Sequence, residues 1–220
     1  MRILITAGGT REYIDPVRFI SNSSSGRMGY ELAKVAIKGG HQVTLITTVN
    51  RKSPLVNQAN IIQVQSAADM FEAVKKHFVH CDCLIMAAAV ADYTPAKQSK
   101  IKIKKHQSEF LIKLKPTSDI LKWAGKQNKA KDNKGNSLNK IVVGFALEDK
   151  NLLQNAEAKL KEKNLDMIIA NNVSAINSEK TTVHIKNAFT NWQTIENKTK
   201  TYIAKQIIKS IETIQSVKYH

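Results

Sequence analysis

The feature that most constrains the fold is an alternation of short apolar runs with amphipathic segments. Apolar, strand-like runs occupy residues 2–7, 43–47, 61–64 and 83–90. Two intervening segments, residues 26–40 and 68–78, carry apolar side chains at helical spacing. Strands that alternate with helices form parallel sheets, because each helix carries the chain back across the sheet. The first half of the chain therefore predicts a parallel sheet covered by helices.

The second half continues this alternation less regularly. It adds predicted strands at 110–114, 141–147 and 166–170, helices at 119–126 and 151–163, a hairpin at 181–186 and 192–195, and a terminal helix with Ile203, Ile207, Ile211 and Ile214 on one side. Residues 127–139 are rich in Lys, Asn, Asp and Gly and are predicted to form a surface loop. We expect one α/β domain over residues 1–220, with a modified Rossmann-like, mostly parallel central sheet, helices on both faces and a small β-hairpin region.

The charge is strongly basic, with a net +16 and a pI near 9.8. Such a charge fits nucleic-acid phosphates, small anionic substrates or a lysine-rich solvated surface. No zinc-finger, RRM or KH signature is visible and aromatic residues are few, so we expect no nucleic-acid partner.

Hydropathy and cysteine content also limit the setting. No run of about 18 apolar residues predicts a membrane span. The start at Met1 has the wrong flanks for a signal peptide. Two cysteines, Cys81 and Cys83, are too few for a disulfide framework and lack nearby metal-ligating partners. We therefore expect a cytoplasmic protein without membrane contact.

Residues 20–29, ISNSSSGRMG, place hydroxyls, an amide and glycines where the first helix begins. Backbone N–H groups at a helix start and the positive end of its dipole favour phosphate, and glycine allows a ligand to approach the backbone. The alternative interpretation is an ordinary serine-rich helix cap, since Ser and Asn are preferred caps in any helix. This stretch alone leaves the two interpretations open.

The dinucleotide-binding pattern does not fit. Gly8 and Gly9 are adjacent, and Gly26 follows after a long loop, whereas that pattern needs G-x-G-x-x-G tightly between strand and helix. The second strand ends in Thr47–Asn50 without a carboxylate for the ribose. The Walker pattern is also missing. An NAD(P)-dependent oxidoreductase is therefore a disfavoured alternative, as is a basic nucleic-acid binder.

Three further groups are predicted to gather at the carboxyl edge of the sheet. They are Ala87–Asp92 at a strand end, the basic loop 102–105, and Lys159 with Lys163, four apart on one helix. Small residues admit a base or acyl chain, and lysines neutralise phosphate charge. Taken singly, each group also fits close packing, a turn or a solvated face.

With these residues in view, the sequence resembles the phosphopantothenate–cysteine ligases, also called phosphopantothenoylcysteine synthetases. The matching motifs are residues 5–12, 14–22, 24–29, 87–93, 102–105, 119–121, 143–146, 163–166 and 170–171. They run in family order to about residue 172. In many bacteria this ligase is the second half of a bifunctional coenzyme A biosynthesis protein, and the sequence resembles a stand-alone form whose decarboxylase partner lies on another chain.

The resemblance implies a two-step reaction. The carboxylate of 4′-phosphopantothenate attacks the α-phosphate of a nucleoside triphosphate with Mg²⁺ assisting, and the amine of L-cysteine then displaces the nucleotide. The motifs look bacterial, which implies CTP, with ATP as the alternative. The family also implies a homodimer.

The resemblance also assigns roles to particular residues. Asn22 and Lys102 are implied to be catalytic, and Arg18 is implied to reach the pantothenoyl ligand, with a possible path across a dimer interface. Implied substrate contacts are Arg18, Asn22, Ala88, Ala89 and Asp92. Implied nucleotide contacts are Ser24, Ser25, Gly26, Met86, Ala87, Ala88, Asp92, Lys102, Ser118, Asp119, Ile120, Leu121, Phe145, Lys159 and Lys163. Metal ligands stay unassigned.

Three positions depart from the family pattern. They are Gly9 in place of a proline, Thr117–Ser118 in place of Asn-Pro, and Leu147–Asp149 in place of Ala-Glu-Thr. These changes are compatible with the two-step reaction that the resemblance implies. They make the motifs less informative about which nucleobase, cytosine or adenine, the site accepts.

Overall fold

A computed structural model describes residues 1–105, 109–130, 138–175 and 178–219. The strands are β1 (Arg2–Ala7), β2 (Arg11–Tyr13), β3 (Phe19–Ser21), β4 (Gln42–Thr47), β5 (Asn60–Gln63), β6 (Cys83–Met86), β7 (Tyr93–Pro95), β8 (Leu114–Pro116), β9 (Ile141–Glu148), β10 (Met167–Asn172), β11 (Lys180–Asn187) and β12 (Gln193–Thr199). The α-helices are α1 (Arg27–Lys38), α2 (Ala67–Phe78), α3 (Ile120–Lys129), α4 (Leu152–Glu162) and α5 (Lys200–Tyr219), with short 3-10 helices at Val56–Gln58 and Val173–Ala175.

One eight-stranded sheet runs through the described residues in the order β12-β11-β10-β9-β6-β1-β4-β5. The pairs from β5 to β10 are parallel, and β11 and β12 add an antiparallel hairpin at one edge. The predicted α/β class with a mostly parallel sheet and a hairpin is confirmed. The chain order reverses on the two sides of β1, and this switch point is where α/β sheets bind ligands.

Both faces of the sheet are buried, which explains the continuous apolar strand sequences. Ile3 and Ile5 of β1 pack on one face with α1 and α5, whereas Leu4 points to the other face with α2, α3 and α4. The predicted isoleucine stripe of α5 is confirmed, since all four isoleucines are buried against the α1 face. Helices packed on both faces hold the sheet in place, and the cavity described below lies above the carboxyl ends of its strands.

Several predicted boundaries are corrected. The strand predicted at 83–90 ends at Met86, and the strand predicted at 110–114 is instead β8, which pairs with β7. The hairpin β2–β3 lies inside the segment predicted to be a polar loop. Strands of three residues are too short to show a two-residue period, so the sequence pattern missed them.

The predicted loop at 127–139 is also corrected in part. Helix α3 continues to Lys129, and residues 131–137 lie outside the described residues. Across the part of the chain that the structure describes, no helix combines the length and apolarity that a membrane crossing requires.

Gly125 allows α3 to pack closely against the end of α4. A Cβ atom at this buried position would overlap the carbonyl oxygen of Lys163. Backbone oxygen has little freedom to move, so a larger side chain would separate the two helices. Gly125 therefore sets the distance between Asp119, at the start of α3, and Lys163, at the end of α4.

We predict that Gly125→Ala destabilises the protein by about 1–3 kcal/mol, the usual cost of overpacking. Helix propensity alone would give the opposite sign, because Ala stabilises a helix by about 1 kcal/mol relative to Gly. Urea unfolding of the variant gives the free energy directly. Lys126→Ala, at the exposed neighbouring position, is the control and should change little. A more stable Gly125→Ala protein would contradict the assigned contact.

Candidate functional site

The ends of β1 and β6 stay connected beyond their last paired residues. The hydroxyl of Thr6 accepts a hydrogen bond from the amide of Ala88 (3.1 Å), and that of Thr10 accepts one from Ala91 (2.9 Å). Both threonines are fully buried. Backbone hydrogen bonds and a parallel bridge add to this contact. The two segments, residues 6–10 and 87–91, are called the rim contact below.

Two neighbouring segments are attached to the rim contact. The side-chain amide of Asn22 donates to the carbonyl of Val90 (3.2 Å), which places Asn22 above the end of β6. On the other side, the hydroxyl of Thr117 donates to the carbonyl of Ala91 (2.6 Å), and its amide donates to the carbonyl of Asp92 (2.9 Å). The start of α1 and the start of α3 are therefore both positioned by the same strand end.

The stretch before α1 is not a serine cap. The N-cap of α1 is Gly26, with a left-handed φ of 71° and no side-chain hydrogen bond to the helix. A Cβ atom at Gly26 would lie 2.7 Å from a methyl group of Val49, so glycine is required for space as well as conformation. The first-turn amides lack intrahelical acceptors. Ser24, Ser25 and Gly26 line a cavity together with these amides, which supports the phosphate interpretation.

The cavity above the carboxyl ends of the strands has a volume of about 760 Å³. Pockets of this size hold a nucleotide or a comparable ligand. Of the residues predicted from sequence, the cavity lining contains Asn22, Ser24, Ser25, Gly26, Met86, Ala87, Ala88, Ala89, Asp92, Ser118, Asp119, Ile120, Leu121, Phe145, Lys159 and Lys163. Residues from separate parts of the sequence therefore share one site.

The wall formed by α3 and α4 carries an ion pair. Asp119 caps α3 by accepting from the amide of Lys122 (2.9 Å), and its other oxygen lies 2.7 Å from the ammonium of Lys163. Burial alone would raise the pKa of Asp119, but these hydrogen bonds hold it below its usual value. Gly125 fixes the spacing of the two helices that carry this ion pair.

Lys159 lies deeper in the same wall. Its ammonium donates to the carbonyl of Phe145 (2.8 Å). Burial lowers the pKa of Lys159, and the neighbouring charge of Lys163 lowers it further. Because the bond to Phe145 uses one of its three N–H donors, Lys159 has further N–H groups available for a polar ligand.

Arg18 and Lys102 are not part of the cavity lining in this single chain. The fully buried carboxylate of Asp15 accepts from the amides of Val17 (2.9 Å), Arg18 (2.8 Å) and Ile103 (3.1 Å), and from the guanidinium of Arg18 (2.6 Å). Arg18 also donates to the carbonyl of Ile103. Lys102 is exposed beside this cluster. The structure thus joins Arg18 to the Lys102 segment, and both residues stand outside the cavity lining that contains Asn22 and Asp92.

The cavity offers two carboxylates, those of Asp92 and Asp119. Among the described residues, no group of three or more His, Cys, Asp or Glu side chains is placed to hold a metal ion. Magnesium commonly binds through one or two carboxylates together with substrate phosphates and water. Both oxygens of Asp119 are already bonded to Lys122 and Lys163, so Asp92 is the carboxylate that fits an ion arriving with a triphosphate.

Some lining residues have no role assigned from the sequence. Arg27 lies in the motif 24–29 without an assigned role, and Lys200 begins α5, beyond the last family motif. Asn171 of β10 and Thr181 of β11 also line the cavity. The positions of Thr181 and Lys200 depend on the β11–β12 hairpin, which returns the chain to the sheet edge.

The fold and the cavity define an α/β protein with a nucleotide-sized site at the switch point of a parallel sheet. Residues 1–214 match the family described as the DNA/pantothenate metabolism flavoprotein C-terminal domain, and the chain belongs to that family.

Two curated relatives and one solved structure are similar over most of the chain. The coenzyme A biosynthesis bifunctional protein CoaBC of Borreliella burgdorferi is 41% identical over 211 residues, 94% of this chain and 51% of that protein. A protein of an unknown prokaryotic organism, named cysteine/cysteine sulfinic acid decarboxylase, is 44% identical over 217 residues, 97% of this chain and 58% of that protein. The crystal structure of the C-terminal domain of a CoaBC protein matches with a TM-score of 0.79 and 37% identity, covering 98% of this chain and 95% of that one. The chain spans about half the length of the curated relatives it matches.

We predict that Asp15→Asn releases the segment 99–103 from the β2–β3 hairpin. Burial would raise the pKa of Asp15, but the hydrogen bonds from Val17, Arg18 and Ile103 hold it well below the unfolded value of 3.8. The carboxylate therefore stabilises this contact fully above about pH 4, and the effect is lost as the pH falls further.

Hydrogen exchange measures this release. At pH 7 the amides of residues 99–103 should exchange faster in Asp15→Asn than in the unaltered protein. Asp82→Asn, which removes a carboxylate paired with Arg2, is the control and should leave these amides unchanged. Equal exchange in Asp15→Asn and the unaltered protein would show that Asp15 does not hold the segment.

Proposed function

We propose that this chain, acting as a single domain, is a ligase that joins 4′-phosphopantothenate to L-cysteine in coenzyme A biosynthesis. The observation that carries the proposal is one cavity in which the Asn22 amide, the turn before α1 and the lysines of α4 face the same space. Membership of the family and 41% identity to a coenzyme A biosynthesis protein support it. A cytoplasmic location belongs to the proposal, because the substrates are water-soluble metabolites.

The proposed first step activates an unreactive carboxylate. One carboxylate oxygen of phosphopantothenate attacks the α-phosphorus, the bond from that phosphorus to the bridging oxygen breaks, and pyrophosphate leaves with the electron pair. The cysteine amine then attacks the acyl carbon, and the acyl–oxygen bond breaks to release the nucleoside monophosphate. The amine loses one proton during this step. Such a reaction depends on orientation and on neutralising charge.

We assign residues of the cavity to the acyl substrate and to the nucleotide. Asn22 lies at the end of β6 beside Ala88 and Ala89, where small side chains leave room for an acyl chain. Ser24, Ser25, Gly26 and the start of α1 offer donors to phosphate oxygens. We propose that Ser118–Leu121, Phe145, Lys159 and Lys163 surround the nucleoside.

We propose CTP as the nucleotide and Mg²⁺ as its metal ion, with ATP as the alternative nucleotide. The support for CTP is the resemblance of the motifs to bacterial members. The support for the ion is the carboxylate of Asp92 at the cavity. When bound, the ion would neutralise phosphate charge, and Asp92 is the side chain that would hold it together with the phosphates.

We further propose that the ligase acts as a homodimer through its β-arm, defined as residues 11–21, 93–103 and 109–116. This arm exposes large apolar side chains, namely Val17, Phe19, Tyr93, Ile101, Phe110, Leu111 and Leu114. Leu111 is 87% exposed and Ile101 76%. Clusters of exposed apolar side chains mark interaction sites. A second copy is the proposed occupant, because Arg18 and Lys102 lie on this arm and do not reach the cavity of their own chain.

The name of one relative raises decarboxylation of cysteine or cysteine sulfinate as a second candidate. That protein is longer than this chain, and its activity need not reside in the shared part. The two candidates share cysteine and differ in their products, which are pyrophosphate and an amide for the ligase and CO₂ for the decarboxylase.

We predict that the protein releases pyrophosphate when supplied with phosphopantothenate, cysteine, Mg²⁺ and CTP, and that Lys102→Gln lowers turnover by about a hundredfold. The loss follows because a positive charge that neutralises the departing phosphates has been removed. Nucleotide binding by Lys102→Gln should stay close to that of the unaltered protein. Lys97→Gln, on the same exposed segment, is the control. Full activity of Lys102→Gln would refute the role of Lys102, whereas CO₂ release without amide formation would favour the decarboxylase.

We predict a solution mass of twice the 24.6 kDa chain, measured by light scattering or sedimentation. Leu111→Glu places a charge on the β-arm and should give a single-chain mass together with a loss of ligase activity. Val217→Glu, at an exposed position on α5, should stay dimeric. An unaltered protein that is monomeric and active would contradict the dimer.

A further inference from the structure

Two basic side chains line the cavity at the wall opposite the Asp119–Lys163 ion pair. Lys200 begins α5 and Arg27 begins α1, and both helices pack on the same face of the sheet. Lys200 is only 8% exposed although it carries a cation. Its ammonium donates to the carbonyl of Ala175 (3.2 Å). An ammonium has three N–H donors, so Lys200 keeps donors beyond its bond to Ala175 for a ligand in the cavity that it lines.

Buried cations are normally paired with an anion. Within the described residues, Lys200 has neither a salt bridge nor a hydrogen bond to a carboxylate. On α1, the carboxylate of Glu31 is bonded to Lys34 (2.8 Å) and to the hydroxyl of Thr201 (2.8 Å). Burial would raise the pKa of Glu31, but these hydrogen bonds and the charges of Lys34 and Arg27 lower it. Glu31 therefore already has partners of its own.

Arg27 increases the positive charge in this part of the cavity. It lines the same cavity as Lys200 and begins α1, the helix that packs against α5. Burial lowers the pKa of Lys200, and the charge of Arg27 acts in the same direction. Two like charges held together at a cavity wall favour an anion between them. The start of α1 adds the positive end of its dipole at the same place.

We propose that Lys200 and Arg27 form a phosphate subsite that holds the terminal phosphates of the nucleoside triphosphate and then the departing pyrophosphate. This inference rests on the proposed ligase function. The assignment to the terminal phosphates follows from the arrangement of the cavity. Lys159 and Lys163 belong to the α3–α4 wall on one face of the sheet, which is the proposed nucleoside side. Arg27 and Lys200 begin α1 and α5 on the other face, and Arg27 directly follows the turn at Ser24–Gly26.

A phosphate on the acid substrate has the same chemistry and is the competing source. The terminal phosphates of the nucleotide and the phosphate of the acid can be distinguished by the ligands whose binding depends on Lys200. A terminal-phosphate subsite separates CTP from CMP and binds inorganic pyrophosphate. A subsite for the acid would separate phosphopantothenate from pantothenate and leave the nucleotides unaffected.

Calorimetric titration of the full chain with Mg²⁺ tests the assignment, using CTP, CMP, inorganic pyrophosphate and phosphopantothenate as separate probes. Lys200→Met should weaken CTP and pyrophosphate binding by at least about tenfold, the effect of one charge-assisted hydrogen bond. CMP and phosphopantothenate affinities should stay unchanged. Lys200→Arg should restore most of the CTP affinity, because it keeps the charge.

A purely structural role for Lys200 would reduce all four affinities together or lower stability without changing the ratio of CTP to CMP affinity. Thermal unfolding of each variant measures that stability. Lys209→Met, an exposed lysine on the same helix, is the matched control. The subsite is refuted if Lys200→Met keeps its CTP affinity, loses CMP equally, or loses only phosphopantothenate, or if the unaltered protein binds neither CTP nor pyrophosphate. If CTP and pyrophosphate bind as expected but no amide forms, the ligase function fails and the subsite stands.

Discussion

The site depends on the rim contact between the ends of β1 and β6. Two buried threonine hydroxyls, from Thr6 and Thr10, accept backbone amides that the shortened strand β6 would otherwise leave without partners. Unpaired buried amides are costly, so this contact fixes the conformation of residues 87–91. Asn22 and Thr117 then bind to the carbonyls of the same segment. One strand end thus orients the proposed acyl side and the proposed nucleoside side of the cavity together.

The positively charged side chains of the cavity are arranged on two walls. A net charge of +16 is spread over the chain, but the cavity holds its cations in two separate places. Lys163 is balanced by Asp119 on one wall, while Lys200 and Arg27 face the cavity from the other. One wall combines Lys159 and Lys163 with the carboxylate of Asp119, whereas the other carries Lys200 and Arg27. The proposed binding of a triphosphate would use these cations, which are part of the basic composition.

Much of the fold could be predicted from the sequence because long elements have clear periods. The apolar runs of β1, β4 and β9 and the isoleucine stripe of α5 were predicted with their correct types. The hairpin β2–β3 and the pair β7–β8 were missed, since three-residue strands have no visible period and depend on distant partners. The end of β6 was placed too far along the chain because Ala87–Val90 is apolar. That segment is held by the threonine hydroxyls and by one isolated bridge at Ala89, and not by continuous strand pairing.

Some residues of the candidate site could be predicted from the sequence, and others could not. Residues in motifs, such as Asn22 and Asp119, were found because the resemblance identified them, and the cavity brings them together. Lys200 lies outside every motif, and its burial in the cavity depends on how the β11–β12 hairpin and α5 pack. Arg18 and Lys102 stay apart from the cavity in one chain. Their predicted roles depend on the proposed second copy of the chain, which a single sequence does not describe.

The central claim is that this cavity converts a carboxylate into an acyl-nucleotidylate on the α-phosphate. The most direct measurement follows the carboxylate oxygen. Phosphopantothenate labelled with oxygen-18 in its carboxylate is converted with cysteine, Mg²⁺ and CTP, and the nucleotide product is analysed by mass spectrometry. The account predicts one labelled oxygen in the released CMP. Label in inorganic phosphate, or product formed with CMP unlabelled, would contradict activation at the α-phosphate.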